Sequence, residues 1–215
     1  MASAKTTKQI SHWSGEEGNN YVERNPHSTA EMDEVYVADC GVSRSAMNRD
    51  FLGTIEKSIS VLEVGANVGT QLQFLYDQGF SKILGVDVNR RAITEAKHLY
   101  PSVDVVEGSG FDLPFKDGSF GLVYTSGVLI HISPDDIKSI MSEMHRVSSR
   151  YIWGFEYYAP EYTPVTYRGK KDLLWKTDFA DLFLAQFPDL RLVKEKKYPM
   201  TDGVNVNQMY LLEKN

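Results

Sequence analysis

Cys40 is the sequence's one cysteine, so no intrachain disulfide can form and no zinc site built on several thiolates is available. Such sparing use of cysteine fits a reducing compartment. No apolar run approaches the roughly 20 residues that a membrane helix needs, and the opening MASAKTTKQI lacks the apolar stretch of a secretory signal. A soluble, cytoplasmic protein is therefore expected, with no membrane partner. A basic excess is missing too: 23 Lys and Arg stand against 29 Asp and Glu, a formal net charge of -6. Proteins that bind polyphosphates draw most of their affinity from neutralising them, so nucleic acid is not the expected partner. Internal repeats and low-complexity linkers are absent as well.

What is present is ordinary globular material. The 215 residues, 42% hydrophobic and 24% charged, fit one domain with a sizeable core. Short apolar runs alternate with longer amphipathic segments. Those at 60–64, 83–88, 103–106, 120–125 and 151–155 are rich in β-branched or aromatic residues and bounded by Gly, Asp, Asn or Ser, which predicts strands. Between them, 70–78, 90–100 and 134–147 carry apolar residues at helical spacing. In the last, Pro134 suits a first helical turn, and Ile137, Ile140, Met141, Met144 and Val147 form one stripe. Strands alternating with helices predict an α/β fold with a parallel, doubly wound sheet. Residues 178–187 read as a further helix, and 190–198 and 207–212 as strands joined through the turn signal Asp202-Gly203, so the sheet is expected to end in an antiparallel pair. Residues 1–58 are more polar and less periodic. Within them 45–57 reads as a helix, while 12–26 is dense in Gly, Asn, Glu and aromatics. Such a segment is either a cap on the sheet edge or a lid over a crevice.

The chemistry begins where the first strand ends, in Glu63-Val64-Gly65-Ala66-Asn67-Val68-Gly69-Thr70. A strand that enters a glycine-bearing turn and then a helix creates a ligand site at the carboxyl edge of the sheet, and the helix N-terminus favours a negative group there. A dinucleotide fingerprint wants glycine at its first, third and sixth positions, which here hold Gly65, Asn67 and Thr70; the pattern fails twice. Asn67 tolerates the left-handed conformation, so the turn still forms. The second strand ends at Asp87, 18 residues beyond Gly69. A carboxylate there accepts both hydroxyls of a ribose, although a strand-terminal Asp also serves as a helix cap.

In order along the chain, Glu63-x-Gly65, Gly69, Asp87, Gly108-Ser109-Gly110-x-x-Leu113-Pro114-Phe115-x-Asp117-x-Ser119-Phe120 and Val128-Leu129-Ile130-His131 resemble the class I S-adenosylmethionine-dependent methyltransferases. More narrowly, Trp13-Ser14-Gly15-Glu16, Glu23-Arg24-Asn25, Gly127-Val128-Leu129-Ile130-His131-Ile132, Glu156-Tyr157-Tyr158, Tyr167-Arg168-Gly169 and Leu174-Trp175-Lys176-x-Asp178-Phe179 are similar to the methylases associated with pseudaminic acid and other surface-sugar biosynthesis. The resemblance implies a Rossmann-like seven-stranded sheet of order 3-2-1-4-5-7-6 with its last strand antiparallel, beneath an N-terminal helical lid. It divides the chain into a cap or lid (1–58), a cofactor core (59–156) and a substrate-side segment with the antiparallel strands (157–215).

The implied cofactor is S-adenosyl-L-methionine, released as S-adenosyl-L-homocysteine. Carried over by residue, Glu63, Gly65, Ala66, Asn67, Gly69 and Thr70 would shape the loop around its methionine part, Asp87 would hold the ribose and Val88 would pack on the adenine. Ser109, Gly110, Phe111, Ser126, Trp13 and Tyr21 complete the implied set. Ser109-Gly110 stands where many relatives have Asp-Ala, which leaves the adenine amino group to the Ser109 hydroxyl or a backbone acceptor. Relatives that methylate planar amino groups often end the fourth strand in Asn/Asp-Pro-Pro-Tyr/Phe; this chain has Thr125-Ser126-Gly127-Val128, again away from nucleic acid.

The expected acceptor is a small molecule: a sugar or nonulosonic acid hydroxyl or amine, or another small anionic metabolite. His131, just past the fourth strand, is the best-placed general base, or else a loop cap. Tyr157 and Tyr158 either line the acceptor pocket or fill the core with wet hydroxyls. Arg168 and Lys176 would supply charge for a carboxylate or phosphate. His145 reads as a helix-terminus cation. No metal is expected, and the protein is read as a monomer or homodimer. Two other readings stay open: a nicotinamide-dependent sugar reductase, and a non-catalytic cofactor-binding protein on the same fold.

Overall fold

A computed structural model describes residues 6–25 and 28–215; the first five residues and the Pro26 that closes the 12–26 stretch lie outside the described residues. At its centre are the strands β1 (Ser60–Val64), β2 (Lys82–Asp87), β3 (Asp104–Glu107), β4 (Phe120–Ser126) and β5 (Ser148–Tyr157), all parallel. Two strands, β6 (Thr163–Tyr167) and β7 (Lys170–Lys176), form a hairpin of their own. The last two, β8 (Leu190–Pro199) and β9 (Val206–Lys214), return to the main sheet, whose order is β3-β2-β1-β4-β5-β9-β8 with β9 antiparallel to both neighbours. This is the expected seven-stranded order once the hairpin is set aside. The hairpin itself was not foreseen: β6 is exposed or half-buried throughout, and β7 buries one unbroken run, Leu173, Leu174 and Trp175, with no alternation to mark a strand.

Four helices precede β1: α1 (Lys8–Ser14), α2 (Glu16–Arg24), α3 (Thr29–Cys40) and α4 (Arg44–Leu52). The stretch that looked aperiodic is thus two short helices broken at Gly15. Gly18 is required inside α2 because a Cβ there would stand 1.8 Å from the Trp13 carbonyl oxygen. Helix α3 opens on a capping box of Ser28 and Glu31 and closes on left-handed Gly41. Helix α4 stops at Gly53, short of the expected Lys57. The others, α5 (Thr70–Asp77), α6 (Arg90–Leu99), α7 (Ile137–Val147) and α8 (Phe179–Gln186), fall where the periodicity put them. Pro134 is not in α7, however. Residues 133–136 form a turn in which the Asp136 and Ile137 N–H groups both reach the Ser133 carbonyl at 2.9 Å, and the helix starts at Ile137.

Period-two alternation along the strands sorts the core into two layers. Leu62, Val64, Val123 and Ile152 meet the α7 stripe, all five residues of it buried, and Phe183 of α8. Val61, Leu122, Tyr124 and Trp153 face α4 and α5 with Phe51, Leu72 and Leu75. Each such side chain contributes roughly 1.5–3 kcal/mol by leaving water. The outer edge, β8, is studded with Lys194, Lys196 and Lys197 and is largely exposed, which blunts it against further strand pairing. Among the described residues no helix is long and apolar enough to cross a membrane.

Candidate functional site

The carboxyl ends of β1, β2 and β4 open into a chamber of about 460 Å³, within the range of small-molecule sites. Its floor is the turn after β1. Gly65 (φ +76°) donates to the Val86 carbonyl at 2.8 Å, Asn67 takes the left-handed conformation (φ +49°) as expected, and the turn closes at Gly69. A Cβ on Gly65 would meet a Val128 methyl at 2.6 Å, so only glycine lets the two loops approach.

The end of β2 is tied into this turn. Asp87 Oδ2 accepts the Asn67 N–H and Oδ1 the Asn89 N–H, both at 2.7 Å. Burial pushes the Asp87 carboxyl up while those backbone donors hold it back. Asn89 caps α6 through its own side chain, so the cap reading of Asp87 gives way: its carboxylate faces the chamber.

Most residues named from the sequence come together on the chamber wall: Glu63, Gly65, Ala66, Asn67 and Thr70 from the first turn, Asp87 and Val88 from the second, Ser109, Gly110 and Phe111 after β3, and Ser126 after β4. Trp13 and Tyr21 cover it from α1 and α2, and His131 and Tyr157 complete the lining. The Trp13 Nε1–H is buried and finds no partner among the described residues.

Four residues are not brought there. Gly69, left-handed at φ +82°, caps α5, and a Cβ there would face Val103 and Val105 rather than the chamber. Tyr158 lies outside, beneath the Lys197 ammonium at 3.8 Å. Arg168 and Gly169 are the left-handed corner residues of the β6–β7 hairpin, which carries Arg168 out into solvent. Lys176 donates to Asn205 Oδ1 and stands 5.7 Å from the Tyr157 ring. The two cations expected to meet an anionic acceptor therefore do not line the chamber. His145 sits in the last turn of α7, as expected, paired with Asp189 at 2.9 Å and stacked on Phe187.

His131 ends a short 3₁₀ turn, Leu129–His131. Its Nδ1 lies 2.6 Å from the Leu173 carbonyl oxygen. A carbonyl only accepts, so Nδ1 carries the proton and Nε2 keeps its lone pair. Trp13 and Tyr167 flank the ring at 4.6 and 5.2 Å, and burial drives its pKa down to about 4. The imidazole is neutral at pH 7.

Three further residues shape this wall. Glu156, which the sequence offered only as part of a motif, accepts the Val128 and Ile130 N–H groups at 3.2 and 3.3 Å and so holds the turn that carries His131. Burial raises its pKa to about 7. Glu63 accepts the Tyr124 hydroxyl at 2.9 Å, and burial raises it to about 8. Arg44 is fully buried, its guanidinium donating to Asn48, Tyr36 and Ser126 at 3.0, 3.3 and 3.1 Å, and its charge acts on Glu63. An arginine at a helix start reads as solvated, so no sequence signal marks it. The lining as a whole has four carboxylates, Asp39, Glu63, Asp87 and Glu156, and no Lys or Arg. Among the described residues no cluster of His, Cys, Asp or Glu could hold a metal ion.

Residues 61–150 match the family model described as a methyltransferase domain. An uncharacterized methyltransferase of Synechocystis sp. is 36% identical over 87 residues, 40% of this chain and 41% of that protein. The aligned part spans about two fifths of the length of the curated relatives it matches. A solved SAM-dependent methyltransferase from Anabaena variabilis superposes with a TM-score of 0.68 at 12% identity, covering 100% of this chain and 99% of that one. The 1,6-didemethyltoxoflavin-N1-methyltransferase of Burkholderia thailandensis, crystallised with 1,6-didemethyltoxoflavin and S-adenosylhomocysteine, gives 0.63 at 17% identity over 80% of this chain and 76% of that one. Residues 61–150 thus resemble a methyltransferase domain, and the chain shares the Rossmann-like fold of these solved enzymes.

Proposed function

We propose that the chain is a class I methyltransferase that binds S-adenosylmethionine in this chamber and methylates a small molecule. The observation that supports it most is a coincidence of place: the methyltransferase-domain match covers the Gly65–Thr70 turn and Asp87, and both face one chamber. The residues present suit such a cofactor. Asp87 offers carboxylate oxygens to a ribose, Gly110 lets its loop pack closely on Val64 and Ile140, where a Cβ would fall within 2.8 Å of both, and the buried Trp13 N–H is a donor awaiting an acceptor. When bound, the cofactor would supply a methyl group on a sulfonium, in a chamber whose lining holds no Lys or Arg to oppose that charge.

The chain's own part is to position and to keep water out. We read residues 1–58 as the lid, 59–156 as the cofactor core and 157–215 as the acceptor side. His131 is the proton acceptor available for an alcohol or amine, its Nε2 lone pair free across the neutral range. Of the acceptors implied by the likeness to surface-sugar methylases, a neutral or amino-bearing one fits better than an anionic one, because no cation lines the wall.

Calorimetric titration with S-adenosylhomocysteine and with NAD tests the reading. One-to-one binding of the first and none of the second is expected; the reverse would favour a reductase. Incubation with S-adenosylmethionine and a metabolite extract should then yield a product heavier by one methylene.

A further inference from the structure

The end of the chamber away from Asp87 is enclosed by the last turn of α3, the end of β5 and the start of β9, which contribute Tyr36, Asp39, Phe155, Tyr157 and Asn207. Two contacts lock these elements together. Thr201, in the β8–β9 turn, donates its N–H to the Asp39 carbonyl at 2.8 Å and its hydroxyl to the Ala38 carbonyl at 3.1 Å. Asn207 Nδ2 reaches the Cys40 sulfur at 3.4 Å. Asp39 and Asn207 are thereby held on neighbouring walls.

This end offers acceptors of hydrogen bonds from Asp39 and Asn207, and its donors are the Tyr36 and Tyr157 hydroxyls, with no Lys or Arg in the lining. The Asp39 carboxylate has no ion pair or side-chain hydrogen bond among the described residues. Asn207 is 3% exposed, lines the chamber, and its Oδ1 is buried without a partner. A buried acceptor left unpaired is destabilising, and a donor on the ligand would recover that cost. The Tyr36 hydroxyl oxygen accepts from Arg44, which leaves its own hydrogen free to donate. Asp39 also sits in the final turn of α3, where the helix dipole presents its negative end. Two cations stand near this end without lining it: Arg44, bonded to Asn48, Tyr36 and Ser126, and Lys176, bonded to Asn205 and 5.7 Å from the Tyr157 ring.

We infer that this end binds the amino group of a small aromatic-bodied or similarly apolar molecule, its N–H donors directed to Asp39 and Asn207 and its body lying against Phe155 and Tyr157. The inference rests on the methyltransferase reading and names the class of acceptor that reading left open.

Three probes of matched size separate the possibilities: phenethylamine, 2-phenylethanol and 3-phenylpropionate, each titrated into the full chain preloaded with S-adenosylhomocysteine. Phenethylamine is expected to bind about tenfold more tightly than the alcohol, as one charge-assisted hydrogen bond allows, with the carboxylate weakest. Asp39→Asn should bring the amine down to the level of the alcohol, and Asn207→Leu should weaken both, while S-adenosylhomocysteine affinity stays at the wild-type value and reports an intact fold. Preference for the carboxylate, binding of none of the three, or an amine preference that survives Asp39→Asn overturns the inference while leaving the cofactor reading in place. Failure of S-adenosylhomocysteine to bind overturns the cofactor reading and this inference with it.

Discussion

Asp87 Oδ2 accepts the backbone N–H of Asn67 at 2.7 Å, joining the end of β2 to the turn that follows β1. The same carboxylate is the proposed partner of a ribose, so it both builds the site and occupies it. Asp87→Ala should reduce S-adenosylhomocysteine affinity at least a hundredfold by calorimetry and lower stability by about 1–3 kcal/mol, because the Asn67 and Asn89 N–H groups lose their acceptor. Undiminished affinity in the folded variant would remove the cofactor assignment.

Gly65→Ala and Gly127→Ala should differ although both positions are left-handed (φ +76° and +67°). A methyl at 127 meets nothing within 4 Å, whereas at 65 it meets Val128 at 2.6 Å. Backbone strain alone costs about 1–2 kcal/mol; the added clash should make Gly65→Ala the more destabilising in urea unfolding. Equal losses would show that the Val128 loop yields freely.

The imidazole of His131 should stay neutral to about pH 4, with the proton on Nδ1 throughout. Nitrogen-15 shifts of the ring measured from pH 7 to 5 check both points, and a titration near 6.5 would contradict the buried setting. His131→Ala is expected to lower turnover with the amine or alcohol acceptor while leaving S-adenosylhomocysteine affinity little changed. Wild-type turnover would take His131 out of the mechanism.

Stability should fall as pH rises from about 6.5 to 8. Glu63 and Glu156 are lifted to about 8 and about 7 by burial, so in this window the folded chain still holds protons that the unfolded chain has released, and stability declines as those sites ionise. Because a tenfold difference in proton affinity between the folded and unfolded chain is worth about 1.4 kcal/mol, the fall is on the order of 2 kcal/mol. His131, lowered by burial, acts with the opposite sign and only below its unfolded value near 6.5. Melting temperatures across the window should show the decline, and Glu63→Gln should flatten it.

Legibility in the sequence tracked how local the cause was. The strands β1 to β5 and the helices α5 to α8 declare themselves through runs and periods that burial on the two sheet faces imposes. The Gly65–Thr70 turn and Asp87 declare themselves through backbone geometry and spacing. Arg168 misled because a hairpin corner and a binding loop use the same residues, and nothing local says which way the corner points. Arg44 stayed hidden because its burial is decided by Ser126 and Phe155, far along the chain. The pair formed by Asp39 and Asn207 depends on α3 docking against β9, a contact that no single segment encodes.

The chamber's cover is made of two pieces distant in sequence. Helices α1 and α2 meet the β6–β7 hairpin through Lys8 with Asp172, Glu17 with Lys170 and Arg24 with Tyr167. All three contacts are solvent-exposed, and the two ion pairs among them are screened by salt, whereas the apolar layers beneath respond little to it. Trp13 against Tyr167 and the buried Gln9 side chain on the Asp172 carbonyl join the same two pieces without charge, so added salt should loosen the outer rim of this seam and leave its inner contacts in place.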